Sequence, residues 1–159
     1  AGLSAHANST RPRDHGVWMP LLHMYPEADI PVIEISLPMN MNADDIYKIG
    51  KVLSPLREQQ ILLIGSGSIT HNLAELSWQA DADVPNWAST FRNTVVSKLS
   101  HQDYDGVLDW PSLPFIQHNH PTIEHLAPLF FAMGTGHRFN IVHSSFSMGS
   151  LGMDIYRFD

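Results

Sequence analysis

Three short segments carry side chains whose types and spacing could do chemistry. The first is Gly65-Ser66-Gly67-Ser68-Ile69-Thr70-His71-Asn72-Leu73. An apolar run from Gln60 to Gly65 leads into it and reads as a strand buried on both faces. In open α/β sheets, ligands bind beyond the carboxyl ends of the strands. The glycines would let backbone approach a substrate closely, and the turn would aim His71 into that crevice. The same residues also suit a plain strand-to-helix turn. The second segment is Asp14-His15-Gly16, where an acid beside a histidine can orient its ring; an exposed loop is the competing reading.

The third segment, His118-Asn119-His120-Pro121-Thr122-Ile123-Glu124-His125, holds three histidines and one glutamate within eight residues. Neutral imidazole with carboxylate suits Fe(II) or Zn(II). Pro121 can open a helix with His120 at its cap, which would put Glu124 and His125 on the first turn. His120 and His125 are five apart, so they do not share the face of a helical i, i+4 metal pair. One direct ligand with the others nearby fits this spacing better than a zinc hydrolase built on His120, Glu124 and His125. Elsewhere, His6, His101 and His137 read as surface residues. His23 reads as a core or substrate-edge residue and His143 as a pocket wall. Trp18, Trp78, Trp87 and Trp110 read as core.

These side chains need elements to hold them. Pro20 suits the first turn of a short helix that ends by Pro26. Pro31 to Leu37 is β-branched and reads as a strand. Ile46, Ile49, Leu53 and Leu56 have helical spacing behind Asn42 as N-cap, with Pro55 fraying the end. A helical stretch follows His71. Trp87, Phe91, Val95 and Leu99, spaced by four, predict a helix over 85–99. Asp103 to Pro114 reads as a loop or short helix. Thr122 to Met133 reads as an apolar helix stopped by Gly134 and Gly136. Phe139–His143 and Leu151–Phe158 read as closing strands. Strands alternating with helices predict one α/β domain over 1–159, with a central, mostly parallel sheet flanked by helices.

Composition narrows the function. The chain has 159 residues, 43% of them hydrophobic and 16% charged, which suits a folded domain with a real core. The formal net charge is −7 and no Lys/Arg cluster exists, which argues against a nucleic-acid binder. Apolar runs are short and interrupted, so no membrane span is predicted. Ala1-Gly2-Leu3-Ser4-Ala5-His6 lacks the apolar stretch of a signal peptide. No cysteine is present, which excludes disulfides and thiolate catalysis. A cytoplasmic protein is the simplest expectation.

In order along the chain, the motifs resemble one family. They are Asp14-His15-Gly16-Val17-Trp18, Met24 to Val32, Gly65-Ser66-Gly67 through His71-Asn72-Leu73, His120 to Leu129, and Met148-Gly149-Ser150-Leu151-Gly152-Met153-Asp154. The chain resembles the class III extradiol ring-cleavage dioxygenases, most closely their 4,5-DOPA dioxygenase-like branch. Each motif is weak alone; the ordered set is specific. The resemblance covers the C-terminal part of the family domain, so the sheet is expected to be incomplete relative to the full domain.

The resemblance implies a non-haem Fe(II) site, or Zn(II) in some members, and O₂-dependent opening of a catechol ring. It implies that His15 and His71 act as acid and base, and that His125 is a metal ligand. Histidine suits proton transfer because its pKa lies near the working pH. The family's two N-terminal ligand histidines have no counterpart upstream of Asp14. His6 stands too close to Asp14, and no aromatic follows it. One histidine cannot complete a metal site by itself. The alternative expectation is therefore an inactive fragment or a binding and assembly module that keeps the fold. An incomplete sheet would expose edge and apolar surface, which predicts association as a homo-oligomer or with an N-terminal piece.

Overall fold

The computed structural model describes residues 5–37, 42–79 and 82–159. Residues 1–4 of the Ala1–His6 stretch lie outside the described residues. Asp14 opens α1 (His15–Met24): its side chain accepts from the Gly16 N–H at 2.8 Å. Pro20 therefore sits inside the helix and not in its first turn. Asn42 caps α2 (Ala43–Leu53) by accepting from the Asp45 N–H at 2.8 Å. Asp44 and Asp45 at its start and Lys51 at its end complement the helix dipole. A 3-10 turn, Ser54–Gln59, follows at Pro55.

The core lies among α2, α3 (Asn86–Ser100) and α6 (Ala127–Thr135). Phe91, Val95 and Leu99 present one fully buried stripe, and Trp87 at the same spacing is half-buried. Leu126, Phe130 and Met133 belong to the same core and are fully buried. Where α2 crosses α6, a side chain on Gly50 would strike the Phe131 carbonyl, and one on Gly134 the Tyr47 carbonyl. Both glycines are there for backbone approach. Two short helices, α4 (Tyr104–Leu108) and α5 (Ile116–Asn119), close the layer beside α3. Trp110 is half-buried, whereas Trp18 and Trp78 are exposed, against the expectation of four core tryptophans.

The strands differ most from expectation. β1 (Phe139–His143) pairs antiparallel with β4 (Ile155–Phe158), with a bulge between Ile141 and His143. β2 (Phe146–Ser147) pairs antiparallel with β3 (Leu151–Gly152). No parallel pair and no central sheet form among the described residues. Residues 31–37 and 61–68 run without helix or ladder. A strand exists only when a neighbour supplies N–H and C=O groups along its edge, and no described residue does so here. Leu37 and Leu63 still pack on the core, but Ile33 stands 88% exposed and Ile61, Leu62 and Ile64 are open. The periodicity of these segments was legible; their partner was not.

Two helices are shorter than their apolar patterns. After His71 there is only a 3-10 turn, Leu73–Glu75, capped by the Asn72 side chain. α6 begins at Ala127, with Pro128 in its first turn, so Glu124 and His125 sit on the turns before the helix and not on it. No described helix is long and apolar enough to cross a membrane.

Candidate active site at the 65–72 turn

The glycine turn meets the loop ahead of α6. A side chain on Gly67 would strike the His125 carbonyl, and one on Gly65 the Pro128 carbonyl. With both glycines bare, the Ser68 N–H reaches the His125 carbonyl at 2.9 Å. The close approach expected of these glycines is therefore to the loop that carries His125. It brings the His71 and His125 rings into a stack, with centroids 3.5 Å apart and planes 20° from parallel.

The turn is fixed from behind as well. Thr70 is buried; its hydroxyl donates to the Ser150 carbonyl at 2.7 Å and accepts from the Gly152 N–H at 2.7 Å. The Ser68 hydroxyl lies 2.8 Å from the Thr70 carbonyl and 2.9 Å from the Gly152 carbonyl. A side chain on Gly152 would strike Ile69 and Thr70, so only glycine fits there. Residues 148–152 thus brace the site. Sequence reading attached no chemistry to Thr70 and Ser150; their hydroxyls became significant only once the two segments met.

Electrostatics follow from the stack. Partial burial, then the neighbouring His125, holds the His71 pKa below the ordinary histidine value; a backbone hydrogen bond and Glu124 oppose this. A second imidazole in contact disfavours the charged form of His71, which adds to the effect of burial. Glu124 is depressed chiefly by the Thr122 hydroxyl, 2.6 Å from its carboxylate. His71 can therefore accept a proton and return it, with the Glu124 carboxylate nearby.

His15 lies at the surface. Its ring is 79% exposed, with Nδ1 3.4 Å from Asp14 Oδ1. Its turn does approach the site, since a side chain on Gly16 would lie 3.5 Å from the Ser66 hydroxyl. His120 is buried and faces Ile69, not solvent. Among the described residues, no group of three or more His, Asp or Glu side chains could hold a metal ion. A zinc site of His120, Glu124 and His125 is thereby excluded among them. His125 offers a single donor, and the described residues do not make up a metal site. His23 is exposed, not core. His143 is exposed, with Nε2 2.8 Å from the Ser145 hydroxyl. His6, His101 and His137 are at the surface, as expected. An open apolar groove of about 310 Å³, lined by Trp18, Leu21, Tyr25 and Val32, lies along α1, and neither His71 nor His125 lines it.

The sequence profile described as the catalytic LigB subunit of aromatic ring-opening dioxygenase matches residues 2–159. A 4,5-DOPA dioxygenase extradiol from Beta vulgaris is 35% identical over 98% of this chain and 59% of its own length. A protein of the same name from Escherichia coli K12 is 33% identical over 88% of this chain and 54% of its own. The crystal structure of an uncharacterized Escherichia coli K12 protein superposes with a TM-score of 0.88 at 29% identity, covering 96% of this chain and 65% of that one. The chain thus spans less than two thirds of the length of these relatives.

Proposed function

Because the chain belongs to the family of the catalytic LigB subunit of aromatic ring-opening dioxygenase, we propose that it serves extradiol opening of a catechol-type ring by O₂. The observation that carries this reading is the His71–His125 stack, assembled from two distant segments at a glycine turn. His71 is poised as a base: desolvation and its neighbour keep it neutral near pH 7, so it can take a catechol hydroxyl proton. His15, oriented by Asp14 on the adjoining turn, is the proposed acid that returns a proton to the opened product. His125 is the proposed metal donor, for Fe(II) or Zn(II), and further donors would have to come from beyond the described residues. A cytoplasmic setting belongs to the same proposal.

The exposed Ile33, Ile35, Leu62 and Val142 support association with another polypeptide, either a second copy or an N-terminal piece. A second reading, a binding or assembly module without catalysis, is favoured by the single donor alone.

The test is anaerobic loading with Fe(II) and a catechol, then admission of O₂, following O₂ uptake and the yellow ring-opened product. His71→Gln should lower turnover at least about a hundredfold, the scale of a lost general base. Stoichiometric iron and bound catechol without O₂ uptake would refute the enzymatic reading.

A further inference from the structure

Segment 118–120 runs alongside 69–72 and is tied to it by three hydrogen bonds. Asn72 Nδ2 donates to the His118 carbonyl at 2.7 Å, and the His71 N–H donates to the Asn119 carbonyl at 3.0 Å. His120 Nε2 lies 2.9 Å from the Ile69 carbonyl. The first two bonds use backbone carbonyls of 118–119, which any residue there supplies. Only the third uses a side chain of the 118–120 segment.

We propose that His120 is a positioning residue: its Nε2–H clamps the Ile69 carbonyl and so holds the His71 ring against His125. A carbonyl only accepts, so Nε2 must carry the proton and Nδ1 the lone pair. That Nδ1 is buried and has no partner. A side chain that merely filled space would do so better without an unpaired buried nitrogen, because desolvating that atom opposes folding. What the imidazole supplies, and an apolar ring does not, is the donor to Ile69. Phe91, with its ring centroid 5.5 Å away, packs against the imidazole, and the residue is only 2% exposed, so the donor has little room to swing.

The clamp acts on both rings at once. Ile69 lies between Ser68, whose N–H holds the His125 carbonyl, and Thr70, which precedes His71. Release of the Ile69 carbonyl would let the turn move relative to both histidines. The catalytic consequence rests on the ring-opening reading above, whereas the geometric one does not.

The experiment therefore reads geometry in the full chain, without metal or turnover. Long-range nitrogen–proton NMR of the wild-type chain should show the Nε2–H tautomer at His120. An Nδ1–H tautomer would overturn the proposal whatever the variants do. In His120→Phe, which keeps the bulk and loses the donor, the ring-to-ring NOE between His71 and His125 should disappear. Exchange of the His71 amide should also rise about tenfold, as for one lost buried hydrogen bond. His120→Gln, whose side-chain amide can donate to Ile69, should retain both signatures. An unchanged NOE and exchange rate in a folded His120→Phe chain would overturn the proposal, as would a His120→Gln chain no better than the Phe variant. Loss of ring-opening activity in the wild type bears only on the proposed reaction.

Discussion

Acidification should destabilise this chain through His120 before most carboxylates titrate. Burial pushes the pKa of His120 down from 6.5 to about 4, because the charged ring would lie away from water. The sign follows from proton counting. Below pH 6.5 the unfolded chain takes up a proton at this site, whereas the folded chain stays neutral until about pH 4. The unfolded state binds more protons in that window, so stability is full above pH 6.5 and falls as pH drops toward 4. One pKa unit corresponds to about 1.4 kcal/mol, so the loss between pH 8 and pH 5 is about 2 kcal/mol and approaches about 3 kcal/mol below pH 4. For a chain of this size, 2 kcal/mol is about 4–8 °C in Tm. Urea unfolding at several pH values measures this directly. His120→Gln removes the titrating group and serves as the control. Its stability should fall about 2 kcal/mol less than wild type over the same range. Parallel pH profiles for the two chains would refute the argument that His120 is buried neutral.

Three further outcomes follow from packing and charge. Arg92→Ala should cost about 3–5 kcal/mol in urea unfolding, since it strands the Asp154 carboxylate, which is 1% exposed and bonded to Arg92 Nε at 2.9 Å. Gly67→Ala should cost about 1–3 kcal/mol and break the His71–His125 stack, because its new methyl group meets the His125 carbonyl. Thermal unfolding reads the first effect and the ring-to-ring NOE the second. Phe130→Ala should cost about 3–5 kcal/mol in urea unfolding, because the ring is fully buried in the core.

Some of this molecule is local and could be read directly from the sequence. Asn42 as a cap, Pro55 as a helix end, and the Phe91, Val95, Leu99 stripe depend on neighbours within a turn or two. The order of motifs around His15, His71 and His125 pointed to the ring-opening dioxygenases, and the family profile over 2–159 bears this out. The sheet was the main departure. Apolar runs at 31–37 and 60–65 have strand chemistry, yet a ladder needs a second edge, and no described segment supplies one. Asp14 does stand beside the His15 ring, 3.4 Å from its Nδ1, and the same carboxylate oxygen also caps α1, a second task the tripeptide alone did not reveal.

The sequence by itself determined the residue types: glycines where backbones must approach, and histidines able to exchange protons near neutral pH. Tertiary structure decided which of them meet. Gly65 and Gly67 admit the 125–128 backbone, which stacks His125 on His71. The same packing turns His120 inward to Ile69 and leaves His15 at the surface. The glycine contacts, the stack and the His120–Ile69 bond all join segments about fifty residues or more apart in the chain. No local pattern encodes such contacts, because each depends on how the intervening helices pack.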